Sequence, residues 1–198
     1  MIVSTGMADL GEVAEAIRTI EEYPSAKFIL LQCVSNYPAD PKDVNLRAMT
    51  TMADAFGVPV GYSDHTPGIE IPLAAVALGA CVIEKHMTLD RNLPGPDHLA
   101  SLEPSEFKAM VKGIRMVEAS LGDGRKTPAA SEANTTAIAR KSLIAASNIP
   151  AGTKLTQSLI TTKRPGTGLS PALLPMLVGR VVRVDVVKDT LLTLGMLD

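Results

Sequence analysis

Short apolar runs alternate with amphipathic stretches along the first ~120 residues. "IVSTG" (Ile2–Gly6) predicts a short strand. Leu10, Val13, Ile17 and Ile20 then recur at helical spacing, predicting a helix from about Asp9 to Glu22. "FILLQC" (Phe28–Cys33) predicts a second strand, and a helix follows from about Asp43 to Phe56, stopped by Gly57. "VPVGYS" (Val58–Ser63) is the third strand, and "GIEIPLAAVALGA" a short helix after a turn. "CVIEKH" (Cys81–His86) is the fourth strand. Pro104 opens a helix to Leu121 with Phe107, Met110, Val111, Ile114 and Val117 on its buried side, closed by Gly122 and Gly124.

Four βα units in succession, with strands apolar on both faces, predict a parallel sheet covered by helices. Polar residues gather after each strand: Ser4-Thr5, Ser35-Asn36-Tyr37, Ser63-Asp64-His65, and Glu84 to Asp97. (β/α)8 barrels keep their active sites at that end, but a barrel needs eight units. The expected fold is therefore α/β: the C-terminal half of a (β/α)8 barrel over residues 1–121. "GDGRKTPAASEAN" reads as a linker, placed at 122–136. From 137 to 198 the pattern changes to short β-branched runs with frequent Gly and Pro. "IPAGTKLTQSLI" (Ile149–Ile160) resembles "VVKDTLLTLGML" (Val186–Leu197), with Thr153/Thr190, Leu155/Leu192 and Thr156/Thr193 in register. A small, mostly β domain with pseudo-symmetric halves is expected.

Composition narrows the partners. Of the 198 residues 46% are hydrophobic, only 3% are aromatic and none is Trp, so the core is aliphatic. A net charge of −2 argues against nonspecific nucleic-acid or basic membrane-surface binding. No apolar run approaches the ~18 residues of a membrane span, and "MIVSTGMADLGE" lacks signal-peptide character. Two cysteines, Cys33 and Cys81, both in apolar runs, make no disulfide framework, so a reduced, cytoplasmic protein is expected.

Chemistry concentrates around the histidines. His65 and His86 end neighbouring strands, which lie ~4.8 Å apart in a sheet, and two imidazoles there can share one divalent metal. Asp64 or Glu84 could orient an imidazole from behind. His98, the third histidine, reads as loop surface. Asp97 follows the rigid "PGP" turn; it can accept sugar hydroxyls or move a proton, or simply bond its own turn. Tyr37 offers a hydroxyl donor or rim packing, and Arg164 alone reads as a solvated loop charge.

Taken together, "VSTGM" (Val3–Met7), "SNYPADP" (Ser35–Pro41), "GYSDHT" (Gly61–Thr66), "EKHMTLDRNLPGPDHLASLEP" (Glu84–Pro104) and "TKRPGTGLSP" (Thr162–Pro171) resemble the sialic acid synthase family, which includes the N-acetylneuraminate and legionaminate synthases. The likeness runs through essentially the whole chain, in family order, and its last part resembles the antifreeze-like (SAF) domain. It implies an enzyme that condenses phosphoenolpyruvate (PEP) with an N-acylated amino sugar, N-acetylmannosamine or a 2,4-diacetamido hexose, and releases phosphate. It implies a divalent metal, Mn2+ with Mg2+ or Co2+ as alternatives, on His65 and His86. Ser4, Ser35 and Ser63 would touch PEP, Tyr37 and Asp97 would serve the sugar, and Arg164 would be lent by the neighbouring subunit of a domain-swapped homodimer.

Three departures qualify the likeness. Many members carry Asn where this chain has Ser35, its own Asn being Asn36, and a one-residue shift reverses side-chain facing on a strand. "LPGPDH" (Leu93–His98) is nearer the neuraminate and legionaminate branch than the pseudaminate synthases. The family's N-terminal half, with its PEP-binding lysines, has no counterpart here, so these residues alone are expected to lack activity. The rival readings are a non-catalytic carbohydrate- or ice-binding SAF module on a half-barrel, or another metal-dependent barrel aldolase.

Overall fold

The computed structural model describes all 198 residues, which divide into two compact units, residues 1–125 and 126–198. The first unit has four parallel strands, β1 (Ile2–Ser4), β2 (Ile29–Cys33), β3 (Val60–Asp64) and β4 (Ile83–Lys85), paired in sequential order. The helices after each are α1 (Leu10–Glu21), α2 (Arg47–Phe56), α3 (Glu70–Ala77) and α4 (Pro104–Leu121). This is half of a (β/α)8 architecture, with β1 and β4 as its edges.

Local chemistry sets these boundaries. Asp9 accepts from the Glu12 amide while Glu12 bonds back to the Asp9 amide, a reciprocal cap that starts α1. Gly57 ends α2 in the left-handed conformation, φ 64°. The expected start of α2 at Asp43 is not observed. A 3-10 turn spans Pro41–Asp43, Asn45 adopts φ 48°, and the helix begins only at Arg47.

Register decides which side chains share a face. Leu31 pairs with Gly61, Cys33 with Ser63, Ser63 with Glu84, and Asp64 with Lys85. Side chains alternate along a strand. Leu30, Val60 and Tyr62 therefore face the helices, where they form the core with Val13, Ile17, Val44, Met49, Met52 and Ala75. The opposite face carries Ser4, Leu31, Cys33, Gly61, Ser63 and Glu84. Gly61 belongs there for a steric reason: a Cβ on it would lie 2.5 Å from the Val82 carbonyl oxygen and 2.6 Å from Leu31 Cδ2. On α4 the expected buried stripe is only partly buried. Met110 is enclosed, Phe107, Ile114 and Val117 are half-buried, and Val111 is exposed.

The second unit has two antiparallel strands, β5 (Ser142–Ala145) and β6 (Ile160–Lys163). Its repeat is real at the level of hydrogen bonds. Ile149 and Val186 exchange both backbone bonds. The Ala151 amide donates to Asp185 Oδ1, and the Lys188 amide donates to Asn148 Oδ1. Gly152 and Asp189 both take positive φ, 83° and 69°. Short 3-10 turns follow Thr156 and Thr193 alike. Leu155 and Leu192 are both buried, in a core shared with Leu143, Ile149, Leu177, Val182 and Leu197. Two short helices complete the unit, α5 (Ala133–Ala139) and α6 (Leu174–Leu177). Part of the stretch read as linker is thus helical.

Candidate active site

His65 and His86 are the first residues beyond β3 and β4, on the face away from the helices, and their ring centroids are 5.3 Å apart with the planes almost perpendicular. Tyr37, beyond β2, stacks on His65 at 4.0 Å and lies 5.5 Å from His86. Asp97 Oδ2 is 3.9 Å from His86 Nδ1, beyond hydrogen-bond range. The strand ends thus bring together four of the expected residues, His65, His86, Tyr37 and Asp97.

His65 is buried and its tautomer is set. Its Nδ1 lies 2.6 Å from the Val34 carbonyl oxygen, which can only accept, so Nδ1 carries the proton. In the neutral imidazole this leaves the lone pair on Nε2, the arrangement a metal requires. A backbone carbonyl therefore orients this ring. Asp64 and Glu84, expected in that role, do not. Asp64 points to the helix side, as alternation demands, and bonds Tyr62 Oη, the Thr66 amide and hydroxyl, and Lys85 Nζ. Glu84 Oε1 accepts from Ser63 Oγ at 2.6 Å.

One row of the sheet, Cys33–Ser63–Glu84, was missed as a unit. The three are register partners on the face of the histidines. Burial pushes the Cys33 thiol above its ordinary pKa, against hydrogen bonds from the Gly6 backbone and the Ser63 and Ser35 side chains. A signal existed: Ser63 and Glu84 each stand two residues before their histidine, and period two puts both on one face. Ser35 shares this neighbourhood, its Oγ 3.1 Å from where a Cβ on Gly6 would lie, whereas Asn36 is exposed. Ser4 is exposed on edge strand β1.

The segment after β4 is folded back rather than free. The Thr88 amide bonds to the Leu102 carbonyl, and the Leu102 amide to the His86 carbonyl. Arg91 donates through Nε to the Ser101 carbonyl and pairs with Glu106. Ser101 Oγ bonds to the Asp97 carbonyl, which fixes that turn. His98, expected at the surface, is half-buried with Nδ1 2.8 Å from Thr88 Oγ1.

Arg164 belongs to the second unit. It follows β6, is exposed, and donates from Nε to the Ala139 carbonyl at 3.0 Å. The loop behind it is built. The Gly166 amide bonds to the Ala137 carbonyl, Ser142 Oγ donates to the Pro165 carbonyl, and a Cβ on Gly166 would strike Arg140 at 2.5 Å.

Fold and site define a barrel-derived α/β protein with its polar cluster at the strand C-termini, followed in the chain by a small pseudo-twofold β domain. Residues 1–126 match the NeuB family and residues 140–198 the SAF domain, so the chain belongs to the NeuB family. It is 46% identical to the N,N'-diacetyllegionaminic acid synthase of Legionella pneumophila, over 97% of this chain and 55% of that protein. It is 40% identical to human N-acetylneuraminate-9-phosphate synthase, over 96% of this chain and 53% of that one. A solved structure, the N-acetylneuraminic acid synthetase of Leptospira borgpetersenii in complex with citrate, superposes with a TM-score of 0.62 at 45% identity, covering 68% of this chain and 47% of that one. The chain thus spans about half the length of the curated relatives it matches. No helix is long and apolar enough to cross a membrane.

Proposed function

We propose that this chain supplies the C-terminal part of the active site of a nonulosonic acid synthase, which condenses PEP with an N-acylated amino sugar and releases phosphate. The observation that carries the reading is the juxtaposition of His65 and His86 beneath the Tyr37 ring, in a chain of the NeuB family.

A divalent ion fits the residues present. His65 offers a free Nε2 with its other nitrogen engaged, and the perpendicular His86 ring is 5.3 Å away. No cluster of three or more His, Cys, Asp or Glu side chains surrounds them, so the two imidazoles are the protein ligands this chain offers. A metal so coordinated, Mn2+ with Mg2+ or Co2+ as alternatives, would keep open positions and polarise a sugar aldehyde as a Lewis acid.

The remaining roles belong to the chain's own groups. Tyr37 and Asp97 flank the histidines and would orient the sugar hydroxyls. Ser35 and Ser63 line the neighbouring row and would meet PEP, with Ser4 at the sheet edge. Ser63 currently gives its proton to Glu84, so it meets an anion as a donor only after its hydroxyl turns. In a reduced, cytoplasmic homodimer, Arg164 would reach the acyl group of a sugar bound by the other subunit; its free guanidinium tip on a built loop supports that reading. The acceptor class is N-acetylmannosamine or a 2,4-diacetamido hexose, since a legionaminic and a neuraminic relative match this chain almost equally, at 46% and 45% identity.

The test is phosphate release from PEP by a chimera joining this chain to the N-terminal portion of the Legionella relative. Sugar-dependent release that His65→Ala and His86→Ala both abolish is expected. A folded chimera that releases phosphate without either histidine, or releases none while the intact relative does, overturns the proposal.

A further inference from the structure

On the helix-facing side of the sheet, directly behind the two histidines, lies an ion pair that the proposed chemistry does not use. Asp64 and Lys85 are the last register partners of the β3–β4 ladder. Their side chains are 0% exposed, with Lys85 Nζ 2.7 Å from Asp64 Oδ2. Asp64 Oδ1 accepts from Tyr62 Oη at 2.9 Å, the Thr66 amide at 3.0 Å and Thr66 Oγ1 at 2.8 Å. Lys85 Nζ also donates to the Thr66 carbonyl. No buried side-chain nitrogen or oxygen here is left without a hydrogen-bond partner.

We infer that Asp64 and Lys85 are positioning residues that set the spacing of His65 and His86. The ammonium of the residue before His86 is tied to the residues on both flanks of His65, Asp64 and Thr66. It thereby locks the ends of β3 and β4 together just where the ladder stops and each histidine begins. Burying two charges costs several kcal/mol per ion, and an apolar pair is commonly no less stable. Fold stability alone therefore gives little reason for the pair, whereas a fixed distance between the next residues on two strands does. The inference rests on the imidazole pair acting together, as proposed above, but its geometric content does not require that the shared ligand be a metal.

The experiment uses the full 198-residue chain with Lys85→Met and with Asp64→Asn/Lys85→Met. The single variant leaves a buried carboxylate unpaired and is expected to unfold readily. The double variant removes both charges, while the carboxamide that replaces the Asp64 carboxylate can still accept from Tyr62 and Thr66. Two readouts are taken: the nuclear Overhauser contact between the two imidazole rings in metal-free protein, and the affinity for Co2+ by titration. The expected result is a double variant that keeps a cooperative melt near that of the parent, loses the ring–ring contact and binds Co2+ about tenfold more weakly or worse, the range usual when supports behind metal ligands are removed. A folded double variant with ring contact and affinity intact overturns the inference. An unfolded double variant overturns it too, since the pair would then hold the fold and not the spacing. Loss of ring contact in the variant, with no Co2+ binding even by the parent, supports the brace and refutes the metal reading alone.

Discussion

Gly61→Ala tests whether the close approach of β3 and β4 is needed to hold the site together. Gly61 has no left-handed backbone to protect, so Ala meets no conformational strain there. Limiting the freedom of the unfolded chain would even stabilise by about 0.4–1 kcal/mol. Against this, the new methyl lies 2.5 Å from the Val82 carbonyl oxygen and 3.0 Å from Val82 Cβ. Both atoms belong to the chain entering β4, so that segment must recede by most of an ångström. The bond from the Tyr62 amide to Val82 O, 2.9 Å long, is stretched with it. Leu31 Cδ2, at 2.6 Å, belongs to a side chain with no exposure and little room to yield. Overpacking of this kind costs about 1–3 kcal/mol, so the clash outweighs the entropy gain. A net loss of about 1–2 kcal/mol should lower the melting transition of residues 1–125 by roughly 4–10 °C. Circular dichroism melts give the shift, and the imidazole ring contact should weaken in parallel as His86 moves with β4. A variant that melts at or above the parental temperature with ring contact unchanged would show that β4 already has room to move, and the steric argument would be wrong.

Leu192→Ala empties a fully buried position in the second unit and should cost about 2–5 kcal/mol, seen in calorimetry as a lowered transition for residues 126–198. Thiol labelling should distinguish the cysteines: exposed Cys81 reacts in the native protein, while Cys33, buried with its thiol pushed up, reacts only on unfolding. The Arg91 guanidinium holds the Glu106 carboxyl below its ordinary range, so that pair stabilises above the unfolded value of about 4.3 and is lost as pH falls through the lower folded value. Both partners are more than a third exposed, so Glu106→Gln should flatten acid unfolding between about pH 4.3 and that lower value by no more than ~1 kcal/mol.

What could be read from the residues was what periodicity controls. The four strands, the long helix opened by Pro104 and the pseudo-symmetric β domain follow from apolar spacing, because burial of aliphatic faces is what shapes them. Asn45 shows the limit. Its left-handed backbone divides a helix-like run, and a non-glycine residue in that conformation leaves no mark in a hydrophobic pattern. The helical part of the linker was hidden for the opposite reason, since Gly, Pro and Ser outweighed the alanines of Ala133–Ala139 in a compositional reading. His98 found its partner, Thr88, inside one irregular loop, where no period applies. For Asp64 and Glu84 the strand's own period decides the outcome. Nearness in sequence to a histidine suggested support for its ring, yet alternation along a strand sends the preceding residue to the other face and the residue two before to the same one. Applied at the ends of β3 and β4, that rule places Ser63 and Glu84 beside the imidazoles and Asp64 and Lys85 behind them. The same three-residue steps, Ser63-Asp64-His65 and Glu84-Lys85-His86, therefore encode both a polar row on the site face and a buried tie on the helix face. Moving either histidine by one residue would turn its ring from the polar row to the side of the buried tie.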